Sequence, residues 1–377
     1  MFKHALTIGH ARGIRIDIHA SWVIIFVLLV VGMSAGFSQQ FPHWSAVEVF
    51  ATAVLTALIF FASIVAHELG HSLVAIRRGI PVHSITLFIF GGVAELSRDS
   101  ESADDELWIA LAGPLVSAGL AAAFLILAWV GAGLYEPIPV ALGWLGLVNL
   151  VVAVFNMIPG FPLDGGRVLR ALVWKASGDA RKGINVAVIG GRLVAYGLFA
   201  MALLNILVLG NPLGGLWLVL IAWFLLTMAQ NQGRMFDMKE RLGKVTARQL
   251  SSHELPLAVT GTSIRDWIDQ QVLPTGQRAF LVQNPDDGIG IVSFSDARKI
   301  PNEAWATTPI DAIMTPRERW IWVSPDTPAV DVLQRMTSND LNQLPVMADN
   351  RVIGWINRQQ LLASVELYLA VEPKQTA

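Results

Sequence analysis

Along its first 230 residues the chain alternates long apolar runs with short polar connectors, a pattern too coarse for an amphipathic globule. Six runs are long enough to cross a hydrocarbon core, which takes about 20 helical residues: 20–37, 47–76, 107–134, 140–158, 184–209 and 213–229. The connectors differ in charge. Lys3, Arg12 and Arg15, then Arg77 and Arg78, then Arg167, Arg170, Lys175, Arg181 and Lys182, then Arg234, Lys239 and Arg241 fall on one side, whereas 38–46, 131–139 and 210–212 hold no Lys or Arg. That bias over an even number of spans predicts cytoplasmic termini. No small-residue cleavage pattern with a soluble domain behind it follows the first run, so it is expected to stay as an anchor.

Two stretches break the apolar rhythm. Residues 82–100 place alternating β-formers around Gly91-Gly92, which predicts a membrane-associated hairpin or re-entrant strand at the cytoplasmic face. Its edge could pair with an extended peptide, or it could simply connect two helices. From about residue 244 the pattern becomes polar and mixed α/β, as in a soluble region of about 130 residues. The expected division is a membrane domain at 1–230, a linker at 231–243 and two soluble units at 244–305 and 306–372.

Composition narrows the class. Of 377 residues 54% are hydrophobic and 15% charged, and the mean hydropathy is +0.53, too little polar surface for a soluble globule of this size. A net charge of -2 gives no basic excess and argues against nucleic acid as a partner. With no cysteine, any metal must be held by His, Asp or Glu.

Such residues occur in the second run. In "SIVAHELGHSLVAIRRG", residues 63–79, His67 and His71 are four apart and share a helix face, while Glu68 sits about 100° round. A zinc with three protein ligands keeps a fourth position for water acidified to a pKa near 7, whose proton a neighbouring carboxylate can take. Imidazoles and a carboxylate near hydrocarbon are costly and must face a partner or a wet cavity. Counting back from Arg78 at about 1.5 Å per residue puts His71 and His67 roughly 10 to 16 Å inside the cytoplasmic border. Residues 155–170, "FNMIPGFPLDGGRVLR", offer a third ligand. Pro159, Gly160 and Pro162 break the helix, extended backbone is expected there, and Asp164 projects from it at similar depth. An ordinary interfacial turn is the competing account. Asn156 could donate to a scissile carbonyl or bond a neighbouring helix. Asp99, Glu101, Asp104, Asp105 and Glu106 are expected to be a solvated acidic run. His19 and His83 are expected to be capped interfacial histidines rather than ligands.

These motifs, "AHELGHSLVA" at 66–75 and "NMIPGFPLDGGR" at 156–167 with "LAGPLVS" at 111–117, resemble the site-2 proteases, intramembrane zinc metalloproteases. The resemblance implies one zinc on His67, His71 and Asp164, Glu68 as general base, Asn156 assisting the electrophile, and a membrane hairpin around Gly91 and Gly92. The expected architecture is a polytopic α-helical membrane protein, with six transmembrane helices and a hairpin, followed by a cytoplasmic α/β tandem CBS module. The tail repeats internally: Thr262 and Thr327, Asp266 and Asp331, and Gly290 and Gly354 stand 65, 65 and 64 residues apart. CBS pairs often bind adenine nucleotides, and Ser293 and Asp296 occupy the hydroxyl and acidic positions of the first unit. Asn357 and Gln360 stand there in the second, so a dimerisation or docking platform is the other expectation. The functional expectation is a plasma- or inner-membrane endopeptidase that cuts single-pass or signal-anchored proteins within the bilayer. The alternative is a non-proteolytic zinc transporter or sensor gated by the tail.

Overall fold

Four short strands precede or interrupt the first long helices and join into one sheet: β1 (Ala5–Ala11), β2 (Ile14–His19), β3 (Val82–Phe88) and β4 (Gly91–Leu96), in the order β1-β2-β3-β4. The structure is a computed structural model describing residues 5–89, 91–284 and 288–371; Lys3, counted above among the cationic flanks, lies outside them. β3 and β4 pair antiparallel, as their alternation predicts, and β2 runs parallel to β3. The first hairpin was not anticipated. Its turn is Arg12-Gly13, both at positive φ, and it folds the cationic head back so that Ile14 packs with Ala75, Ile80, Ile85 and Ile109.

Helices α1 (Ser21–Gln40), α2 (Ala46–Arg77), α3 (Ala103–Val130) and α4 (Pro137–Asn156) are followed by a shorter α5 (Asp164–Ser177), then α6 (Ala180–Leu207) and α7 (Pro212–Gly243). All but α5 are long and apolar enough to cross a membrane, six such helices among the described residues. α2 starts on a capping box, in which Ser45 Oγ accepts from the Glu48 amide and Glu48 Oε2 accepts from the Ser45 amide. It stops where Gly79 adopts φ +77°, a conformation that favours glycine, and the Ile80 amide turns back onto the Ala75 carbonyl. α2 and α3 pack so closely that a Cβ on Gly70 would lie 3.0 Å from the Ala112 carbonyl oxygen, as small residues permit between membrane helices.

Two expectations need correction. The acidic run is not solvated throughout: Glu106 is 1% exposed and meets Arg167 Nε at 3.0 Å and Arg170 Nη1 at 3.5 Å. Asp104 pairs with Lys175 and Asp105 with Arg78, at 2.6 and 2.9 Å. These carboxylates open α3, where Ser102 caps and the helix dipole favours negative charge. The break after α4 is not extended: residues 157–163 make turns and bends, and the helix resumes at Asp164 itself. The Phe161 amide donates to the Ala187 carbonyl, and a Cβ on Gly191 would lie 2.1 Å from the Phe161 carbonyl oxygen, so the break rests directly on α6. The linker expected at 231–243 is the helical end of α7, and packing divides the chain within it, after Gly233.

Within the tail the boundary at 305/306 does not separate two cores. Residues 242–250, including α8 (Ala247–Leu250), bury Leu242, Val245 and Ala247 against Val323, Val346 and Ile356 of the second half. In return Ile310 joins the first-half core with Trp267 and Phe280, and β8 (Thr315–Pro316) extends the sheet of β5 (Leu257–Val259), β6 (Ala279–Asn284) and β7 (Gly288–Ser293). The second sheet pairs β9 (Gln343–Ala348) with β10 (Arg351–Asn357). The repeat is visible at the two glycines. A Cβ on Gly290 would strike Met314 Sδ at 2.3 Å, and one on Gly354 would strike Ser251 Cβ at 2.7 Å.

Candidate metal centre

Three polar side chains from two elements meet beside the α2–α3 contact. His67 Nε2 and His71 Nε2 are 3.2 Å apart, and Asp164 Oδ2 lies 3.2 Å from the first and 3.3 Å from the second. Both histidines are buried, and their ring planes stand at 78° to one another. No other group of three or more metal-binding side chains assembles among the described residues. Donors 2.0–2.1 Å from a tetrahedral zinc are spaced about 3.3–3.4 Å from one another, so this triangle already has the right edge length.

The outer partners leave the correct atoms free. His71 Nδ1 donates to the Ile109 carbonyl at 2.6 Å, and His67 Nδ1 lies 2.9 Å from Ser117 Oγ. With Nδ1 so engaged, each Nε2 keeps its lone pair for a metal. Between these two anchors α3 presents Gly113, whose missing side chain makes the space: a Cβ there would lie 2.1 Å from His71 Nε2 and 2.6 Å from His67 Nε2. The donor set and the cradle therefore fit zinc. Ser117 and Gly113 stand in the "LAGPLVS" stretch, but which contacts they make depends on how α3 crosses α2, which spacing along one helix does not reveal.

Glu68 is half-buried and stands outside the triangle. β4 lies over it: a Cβ on Gly92 would be 2.6 Å from Glu68 Cγ and 3.3 Å from Glu68 Oε1. The carboxylate accepts no hydrogen bond from another described residue, leaving both oxygens for proton transfer. Asn156 closes α4, half-buried, and its amide makes no hydrogen bond to another described residue. Arg167, one turn beyond Asp164, is half-buried, and the loss of solvent disfavours its charge. Glu106 outweighs that cost and holds the guanidinium pKa above its ordinary value.

The remaining candidates lie elsewhere. His19 Nδ1 is 2.8 Å from Ser21 Oγ and His83 Nε2 is 3.0 Å from Ser97 Oγ. Ser293 and Asp296 are bound to each other: Ser293 Oγ donates to Asp296 Oδ2 at 2.6 Å and caps the short helix α9 (Phe294–Ala297). Asn357, the matching position in the second half, accepts from the Gln359 amide at 2.9 Å and so also caps a helix start.

Comparison with known proteins finds family matches in both parts of the chain. The family model described as peptidase family M50 matches residues 55–140 and 135–198, and the CBS domain model matches 310–366. A protein of Synechocystis sp. that bears a zinc metalloprotease name is 34% identical over 369 residues, spanning 96% of this chain and 95% of the relative. A Mycobacterium tuberculosis protein with a zinc metalloprotease name is 30% identical over 380 residues, or 99% of this chain and 96% of the relative. Among solved structures, a site-2 protease from Methanocaldococcus jannaschii matches at 30% identity and TM-score 0.41, over 61% of this chain and 96% of that one.

Proposed function

The chain belongs to peptidase family M50, multi-pass membrane zinc metalloproteases, and from that premise we propose that it hydrolyses a peptide bond within a transmembrane segment of a single-pass or signal-anchored protein. In this reading His67, His71 and Asp164 hold one zinc per chain, Glu68 is the general base and Asn156 supports the substrate carbonyl. The family match favours the metalloprotease over the transporter alternative. The observation that carries the reading is the triangle of donors beside a carboxylate that takes no part in it.

When bound, zinc supplies a Lewis acid and lowers the pKa of water at its open position. The chain's own groups do the rest. Glu68 takes the proton of the attacking water and passes it to the departing amide nitrogen. The Asn156 amide donates to the carbonyl oxygen as negative charge develops there. β4, hydrogen-bonded only to β3 within its sheet, offers a free edge directly above Glu68 that can hold an unwound substrate as an added strand. An extended substrate matters because a helix hides its own amides from attack.

The Lys/Arg bias of the connectors supports an orientation with both termini and the tail in the cytoplasm. The substrate would then be cut towards its cytoplasmic end. We read the tail as a regulatory or docking module, with homodimerisation through it a further role. The helix-capping work of Ser293 and Asn357 accounts for both positions without a nucleotide.

The test is cleavage of a single-pass protein co-reconstituted in liposomes, with product ends mapped by mass spectrometry. Wild type should cut inside the apolar segment, and Glu68→Gln should retain zinc without cutting. A Glu68→Gln variant that still cuts would overturn the mechanism.

A further inference from the structure

One face of α3 meets both proposed histidine ligands. At Ile109 and Ser117 it receives the Nδ1 atoms of His71 and His67, and at Gly113 it makes room for both rings. The same face carries Glu106, three residues before Ile109 and 1% exposed. Its carboxylate accepts from Arg167 Nε at 3.0 Å and lies 3.5 Å from Arg170 Nη1. Arg167 is three residues, about one helical turn, after Asp164 on α5. We infer that Glu106 is a positioning residue for the metal: it clamps α5 onto α3 so that Asp164 reaches the two histidines.

Little else in α2 or α3 could hold α5 in register. Asp164 comes directly after a helix break, so no continuous helix fixes its height relative to α2. A buried carboxylate between two guanidiniums is a directional tie. Charge-assisted hydrogen bonds of this kind set geometry as well as energy. Removing one member leaves buried, uncompensated charge and no reason for the helix to keep its place. Lys175–Asp104 ties the far end of α5 to the same helix, but both side chains are more than half exposed, so that pair is screened and weak. Contact with α6 supports the break from the other side, and the directional tie between α5 and α3 rests on Glu106.

This inference depends on the proposed ligand set, and the experiment separates the two. Zinc affinity of the full chain in detergent is measured by chelator competition for wild type, Glu106→Gln, Glu106→Asp and Arg167→Gln, with thermal unfolding of each zinc-free protein alongside. Outer partners of metal ligands typically contribute 10–100-fold in affinity. Glu106 acts on Asp164 only through α5, so Glu106→Gln is expected to lose roughly tenfold, the low end of that range, and Glu106→Asp, which keeps the charge on a shorter arm, to lose less. Folded Glu106→Gln that binds zinc as wild type does would overturn the inference. If Glu106→Gln does not fold, Glu106→Asp and Arg167→Gln decide: wild-type affinity in both overturns it, and weakened affinity in either supports it. A wild-type chain that binds no zinc would instead sink the ligand assignment itself.

Discussion

Gly113 and His71 approach so closely that a methyl group on the glycine would sit 2.1 Å from the imidazole Nε2. Gly113→Ala should therefore abolish zinc binding. The substitution itself favours the helix by up to about 1 kcal/mol, so a loss of metal would not reflect a loss of α3. Metal analysis beside circular dichroism checks this: zinc absent, helix content unchanged.

Ser117 orients His67 through Nδ1 at 2.9 Å. Ser117→Ala should weaken zinc binding by roughly 10-fold or more without removing it. Chelator competition measures the difference, and unchanged affinity would show that the hydroxyl is dispensable.

Gly191 on α6 has no room for a side chain against the Phe161 carbonyl, at 2.1 Å, and Ala229, at 3.0 Å. Gly191→Ala should push α6 away from the break that carries Asp164. About 1–3 kcal/mol of stability should be lost, as for overpacked cores, and zinc retention should fall with it. A thermal melt of the purified protein with and without added zinc reads both effects.

Metal binding needs both imidazoles neutral and the Asp164 carboxylate ionised. Acid returns protons to the ligands and so competes with zinc. Apparent affinity should fall as pH is lowered from about 7.5 to about 5.5. Competition titrations at fixed ionic strength should show that sign, and an affinity that rises on acidification would exclude histidine ligation.

Ser293 caps α9 and binds Asp296. Ser293→Ala should lower the stability of the tail by about 1 kcal/mol. Its effect on unfolding should be the same with or without millimolar adenine nucleotide. A stabilisation by nucleotide that Ser293→Ala removes would restore the nucleotide-site reading for this position.

Much of the site was legible because its demands are local. His67, Glu68 and His71 declare themselves by spacing on one helix, and Asp164 by standing at a Pro-Gly break of matching depth. What spacing cannot show is which residues face them from another helix. Glu106 reads as one more acid in a solvated run until Arg167, 61 residues away, is seen across from it. Gly113 reads as an ordinary small residue until α3 is laid across α2. Leu6, Ile8, Ile14, Ile16 and Ile18 alternate about Arg12-Gly13 as in the first hairpin, but Arg12 and Arg15 fit a membrane flank equally well. In the tail, segments near 247 and 310 carry too few residues to announce which half they join. Only the packed cores show the exchange.

All of this depends on Asp164 joining His67 and His71 around one ion. The zinc content of purified Asp164→Ala, measured against wild type, tests that most directly. The account predicts about one zinc per wild-type chain and almost none in the variant. Equal zinc in both would contradict it.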